Sequence, residues 1–178
     1  PDDAPLSAQT LYVLGVTIPG VPGRYLVDVG FGGQTLTSPI LLEAGPVQHS
    51  RHEPYRLLQL DDGEYVLQAH VRDQWRRLYT FATAPKPRID LEVGSWYVST
   101  YPGGIFVTGL TAALITDEAR FNLRGRNLAI HRRDGTEHVR FDTAAQVLDA
   151  LTDRFGIDLG HVAGRADEEA RVHAVLDS

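Results

Sequence analysis

The chain has 178 residues, 43% of them hydrophobic, a formal net charge of −6, and no cysteine. That length can bury a sizeable core, while the acidic balance argues against broad contact with nucleic acid or an anionic membrane, since both rely on summed positive potential. Without cysteine there is neither a disulfide framework nor a thiolate metal site, and no apolar run reaches transmembrane or signal-peptide length, so a cytoplasmic setting is expected.

In chain order, Leu11–Ile18 reads as a strand, Pro19-Gly20-Val21-Pro22-Gly23 as a turn and Arg24–Val29 as the returning strand. Strands follow at Tyr55–Leu60 and Glu64–Val71, joined across Asp61-Asp62-Gly63, and at Trp75–Phe81. Their spacing predicts a small antiparallel β-barrel or sandwich. Ala84-Pro85-Lys86-Pro87-Arg88 interrupts the pattern, after which Asp90 is placed to cap a connecting helix that runs to about Thr100.

Beyond Pro102-Gly103-Gly104 an α/β region begins, with strands at Thr111–Ile115, Arg120–Leu123, Asn127–Arg132 and His138–Phe141 and a turn at Asp134-Gly135. Thr143 and Gln146 have capping-box spacing; Val147, Leu148, Leu151 and Phe155 share a helical face that Gly156 can end. Asp167–Leu176 reads as a surface helix. The expected class is mixed α/β, mainly β, with a β-barrel domain over residues 1–100 and an α/β lid of antiparallel strands and helices over 101–178.

One residue breaks the apolar patterning. Asp28 sits in Tyr25-Leu26-Val27-Asp28-Val29-Gly30-Phe31-Gly32-Gly33, an apolar run that ends in a glycine turn, and a charge there needs a partner. The local residues leave two readings open: a carboxylate capping the turn, or the acid of a nucleophile, base and acid relay. Arg120, Arg124, Arg126, Arg132 and Arg133, with His131, form a local basic segment that suits either an anionic ligand or a solvated strand face. His49 and His52 have no third ligand nearby, so no metal is expected.

The run Tyr25 to Gly33 resembles the strand and turn that carry the acid of the Cys-His-Asp triad in arylamine N-acetyltransferases. Further segments resemble that family in order: Gln34-Thr35-Leu36-Thr37-Ser38-Pro39-Ile40, His52-Glu53-Pro54-Tyr55-Arg56-Leu57, Val93-Gly94-Ser95-Trp96-Tyr97-Val98-Ser99-Thr100, Phe106-Val107-Thr108-Gly109-Leu110 and Arg154-Phe155-Gly156-Ile157. The resemblance implies that Asp28 is the triad acid, that Phe31 and Phe106 line the acceptor pocket, and that Thr10 and His131 belong to the acetyl-CoA site.

Two departures qualify it. The family's nucleophilic cysteine lies in an N-terminal helical domain, and this chain contains no cysteine; its catalytic histidine follows a Gln-Thr pair, and here Gln9-Thr10 is followed by Leu11. Leucine can neither move a proton nor depress a thiol's pKa, and no Gly-x-Ser-x-Gly elbow offers a substitute nucleophile. A chain cut from an active enzyme would keep the histidine, so natural truncation is the expectation.

The expected protein is thus acetyltransferase-like and inactive alone, with binding of acyl-CoA or an aromatic amine still open to it. The alternative is a scaffold module that self-associates through the surface the missing domain covers, or that docks to a separate chain bearing the cysteine and histidine.

Overall fold

The computed structural model describes residues 10–160 and 164–177, so Gln9 of the Gln-Thr pair lies outside the described residues. The chain divides into two compact units, Pro1–Tyr97 and Val98–Ser178.

In the first unit, β1 (Leu14–Val16) pairs antiparallel with β2 (Tyr25–Val27), and β2 with β3 (Ile40–Leu41). A second antiparallel sheet contains β4 (Gln48–His49), β5 (Pro54–Gln59), β6 (Tyr65–Val71) and β7 (Gln74–Phe81) in that order. Asp61-Asp62-Gly63 turns β5 into β6, with Gly63 left-handed at φ 84°. β6 returns to β7 through Arg72 and Asp73, both left-handed at φ 51° and 60°, the geometry of a type I′ turn built without glycine. Alternate residues of these strands point inward. Leu26, Ile40, Tyr55, Leu57, Leu67 and Ala69 thereby form one core shared by both sheets.

The sheets are antiparallel as expected, but they do not close into a barrel. β1 pairs over only three residues and β3 and β4 have two each, which leaves two open sheets with β1 and β7 as outer strands. The connecting helix α1 (Arg88–Thr100) starts two residues before Asp90. Asp90 is therefore not its cap; its N–H donates to the Pro87 carbonyl at 3.0 Å, and its charge lies in the first turn, where the helix dipole favours it.

The second unit opens with a short helix the sequence did not announce, α2 (Ile105–Thr108), between Gly104 and Gly109. Four antiparallel strands follow in a meander: β8 (Thr111–Ile115), β9 (Arg120–Arg124), β10 (Asn127–Arg132) and β11 (Gly135–Arg140). β11 begins three residues earlier than its apolar pattern suggests, and the register Arg132↔Gly135 makes Arg133-Asp134 the turn instead of Asp134-Gly135.

Helix α3 (Ala144–Phe155) has the capping box: Thr143 accepts from Gln146 N–H, the Gln146 side chain returns to Thr143 N–H, and left-handed Gly156 ends it. Its apolar face packs on Leu123, Leu128 and Ile130, and α4 (Arg165–Leu176) adds Val172 to this core. None of the described helices is long and apolar enough to cross a membrane.

Candidate functional site

Asp28 follows β2 directly, and its side chain is buried, with 2% exposure. The chain then turns sharply, so two backbone donors come back onto the carboxylate: Gly30 N–H and Phe31 N–H reach Oδ1 at 2.9 and 3.2 Å. The second oxygen is met from the other sheet, where the Tyr79 hydroxyl near the end of β7 donates to Oδ2 at 2.9 Å. Three donors without a cation among them hold this acid, as burial of a carboxylate requires.

Burial, then the Asp28 charge and the hydrogen bond to it, push the Tyr79 phenol well above its ordinary range, with Tyr55 adding to the effect. Both proton states of Tyr79 are thus not equally available. The phenol stays a donor, because its ionised form would be a desolvated anion beside another anion.

Aromatic packing supports the pair. The Phe31 ring lies 4.9 Å from that of Tyr79, and Phe81 lies 6.0 Å beyond it. Tyr55, fully buried, places its hydroxyl 2.8 Å from Glu53 Oε1 and 3.2 Å from the Gln34 carbonyl, anchoring the segment after the glycine turn to β5. Phe31 therefore belongs to the Asp28 cluster, through its backbone N–H and through its ring on Tyr79.

Leu11 and Thr10 lie just before β1. The β1–β2 ladder begins at Leu14↔Val27, so Leu11 lies three residues before its first pair. Thr10 is exposed, and both residues line a cavity of about 640 Å³ that also reaches Tyr79, so a single hydrogen bond separates this cavity's wall from Asp28.

The other candidates lie in the second unit. Phe106, on α2, is 66% exposed. His131, on β10, is half-buried; its Nδ1 lies 2.9 Å from Thr136 Oγ1, and it stands opposite Arg120 in the β9 ladder.

The basic segment does not act as one cluster. Phe121, Leu123, Leu128 and Ile130 face the helices, so alternation puts Arg120, Arg124 and His131 on the opposite face of the sheet. Arg126 donates to the Asp142 carbonyl at 2.8 Å and to Asp177 at 2.9 Å, and Arg132 to Glu137 at 3.0 Å. Of the three on that face, Arg120 is buried and Arg124 is exposed. No group of three or more His, Asp or Glu side chains able to hold a metal occurs among the described residues.

Tyr79 is the residue that sequence reasoning missed. Its alternation with Arg77 and Phe81 reads as a strand face, and its link to Asp28 spans 51 positions. A tyrosine at a strand end carries no local mark of such a partner.

Comparison with known proteins agrees with the sequence resemblance. A family model described as N-acetyltransferase matches residues 1–163. An arylamine N-acetyltransferase of Mycolicibacterium smegmatis is 70% identical over 177 residues, covering 99% of this chain and 64% of the relative. One from Mycobacterium tuberculosis strain H37Rv is 58% identical over 174 residues, covering 98% and 61%. The solved structure of Mycobacterium marinum arylamine N-acetyltransferase in complex with CoA superposes with a TM-score of 0.93 at 57% identity, over 98% of this chain and 64% of that one. The chain thus spans less than two thirds of the length of these relatives.

Proposed function

Since the chain belongs to the arylamine N-acetyltransferase family, we propose that it keeps the acid-bearing scaffold of the acetyl-transfer site but transfers no acetyl group by itself. The observation that carries this reading is a hydrogen-bonded Asp28 combined with Leu11 at the position of the expected base. Both carboxylate oxygens are engaged by Gly30, Phe31 and Tyr79, and the residue after Thr10, where the family resemblance expects an imidazole, is Leu11. In a thiol, imidazole and acid relay the acid orients the ring and the ring activates the thiol. Asp28 here holds its geometry with no ring to orient, and the 178 residues contain no thiol.

Binding is the activity that remains to such a scaffold. Acetyl-CoA is the proposed ligand, with Thr10 and His131 among its contacts and exposed Arg124 supplying positive charge; Phe31 and Phe106 are the proposed aromatic-amine contacts. The M. marinum relative's complex with CoA supports the first of these. A cytoplasmic setting is part of the same proposal.

Isothermal titration with CoA, together with intact-mass measurement after incubation with acetyl-CoA, tests the reading. Saturable CoA binding with no gain of an acetyl mass is expected. An acetylated protein would refute the loss of transfer, and absence of CoA binding would refute the scaffold role.

A second reading, self-association, rests on a separate observation. Within the second unit, residues 98–116 carry no charged side chain, and Tyr101, Ile105 and Phe106 among them are strongly exposed, the aromatic-rich and charge-poor composition of an interface centre. A dimer or larger species in light scattering at micromolar concentration is the expected result, and a monomer throughout the accessible range would exclude it.

A further inference from the structure

The sheet of β4 to β7 turns one face to its core and the other outward. Tyr55, Leu57, Leu67 and Ala69 point into the core, so alternation sends Arg56 and Leu58 of β5 to the opposite face, with Val66 and Gln68 of β6 and Glu64 just before it. The β6–β7 pairing shifts register between Leu67 and Gln68, which brings both Arg77, opposite Gln68, and Thr80, opposite Val66, onto that outer face. Arg56, Gln68 and Arg77 thus form one rung, and Leu58, Val66 and Thr80 the next. Beyond them Leu60 N–H donates to the Glu64 carbonyl at 2.8 Å and closes the hairpin.

The first rung is basic, and its cations are held in place. The Arg56 guanidinium lies 4.2 Å from the Trp75 ring centre and donates from Nε to Gln68 Oε1 at 2.8 Å, while Arg77 donates to Thr80 Oγ1 at 2.6 Å. These partners are all neutral, and neither guanidinium has an ion pair among the described residues. At the other end of the face Glu64 is half-buried, and its carboxylate also lacks an ion pair among the described residues; Asp61 and Asp62 beside it are exposed. The middle rung is apolar apart from Thr80, with Val66 buried between its neighbours. Along the strands the face therefore runs from positive through apolar to negative, with two residues, about 7 Å, on either side of the middle rung.

We propose that this face docks on the same face of a second copy of the chain, about a two-fold axis that crosses the strands at the Leu58, Val66 and Thr80 rung. That operation reverses strand direction but keeps β6 over β6, so Glu64 of the second copy comes over Gln68, with Arg56 and Arg77 one strand spacing, about 5 Å, to either side. Each carboxylate then meets two guanidiniums, and each apolar rung covers its counterpart. An isologous contact needs a patch that complements itself, and opposite charges at equal distances from an apolar centre provide that. A separate acidic protein would neutralise the arginines but set its own charge against Glu64, and the net charge of −6 disfavours a polyanion such as nucleic acid. Three strands make a small patch, so the contact is weak and concentration-dependent. It lies in the first unit and uses neither residues 98–116 nor the Asp28 cluster.

Sedimentation velocity of the whole chain from micromolar to millimolar concentration, with charge reversals, provides the test. The unaltered chain should dimerise as its concentration rises, and added sodium chloride should weaken the dimer. Arg56→Glu combined with Arg77→Glu, and separately Glu64→Lys, should each weaken association at least tenfold. An equimolar mixture of the two variants should restore it, because every reversed charge then meets an opposite one, and restoration also shows that both variants fold. Three results would overturn the proposal: a chain that stays monomeric throughout; a dimer that both variants keep at full strength, which would leave self-association to residues 98–116; or a mixture that associates no better than either variant alone.

Discussion

In Asp28→Asn the side-chain oxygen still accepts from Gly30 and Phe31, and the Tyr79 hydroxyl can rotate to accept from the new amide, so each contact seen in the structure has a successor. The expected loss of stability is below about 1.5 kcal/mol, the scale of one net hydrogen bond. Asp28→Ala differs, because it strands two amides and a phenol in a buried place; a loss of about 3 kcal/mol or more is expected, from donors left without partners. Urea denaturation of the three proteins measures both, and equal losses would contradict this account of Asp28. Tyr79 gives a pH test. Its folded pKa is raised above the unfolded value of 10.0, so its contribution is fully present below pH 10, and stability falls as the pH rises beyond that, where only the unfolded chain releases the proton. Tyr79→Phe should flatten this alkaline loss, whereas an unchanged slope would show that Tyr79 ionises as freely in the folded chain.

The β6–β7 hairpin carries a local cost that can be removed. Arg72 and Asp73 both adopt left-handed backbone, which disfavours residues with a Cβ, so Asp73→Gly should stabilise the protein by up to about 1 kcal/mol. A higher urea midpoint at unchanged slope is the expected reading, and a lower one would mean that the Asp73 side chain supports the turn. The same hairpin shows where sequence is legible. Its strands were readable because apolar residues alternate, and α3 was readable because Thr143, Gln146 and Gly156 mark both ends. β3 and β4 were not, since two-residue strands have no period, and the contact that binds them is the Gln48 side-chain amide. β11 began early because Gly135, Thr136 and Glu137 are exposed at a sheet edge, where pairing asks for no apolar residue. Asp28 was legible as an anomaly in an apolar run; the identity of its third donor was not, because Tyr79 reaches it only through the tertiary packing of one sheet on the other.

At the scale of the whole molecule, the chain belongs to the arylamine N-acetyltransferase family, while the loss of acetyl transfer is our proposal. The fold of the relatives persists over nearly all of this chain, to a TM-score of 0.93 with the CoA-bound M. marinum structure, and Asp28 is held within it by its own turn. Retention of an acid does not amount to retention of a relay, because the acid acts only through the imidazole it orients and the thiol that imidazole activates. The proposed loss of acetyl transfer therefore follows from Leu11 and the lack of cysteine, not from any defect of the scaffold. The most direct test is the rate of CoA release from acetyl-CoA in the presence of an arylamine, measured with the repurified 178-residue chain. Release indistinguishable from buffer at every protein concentration is the predicted result, and release that rises in proportion to the protein and survives repurification would contradict it.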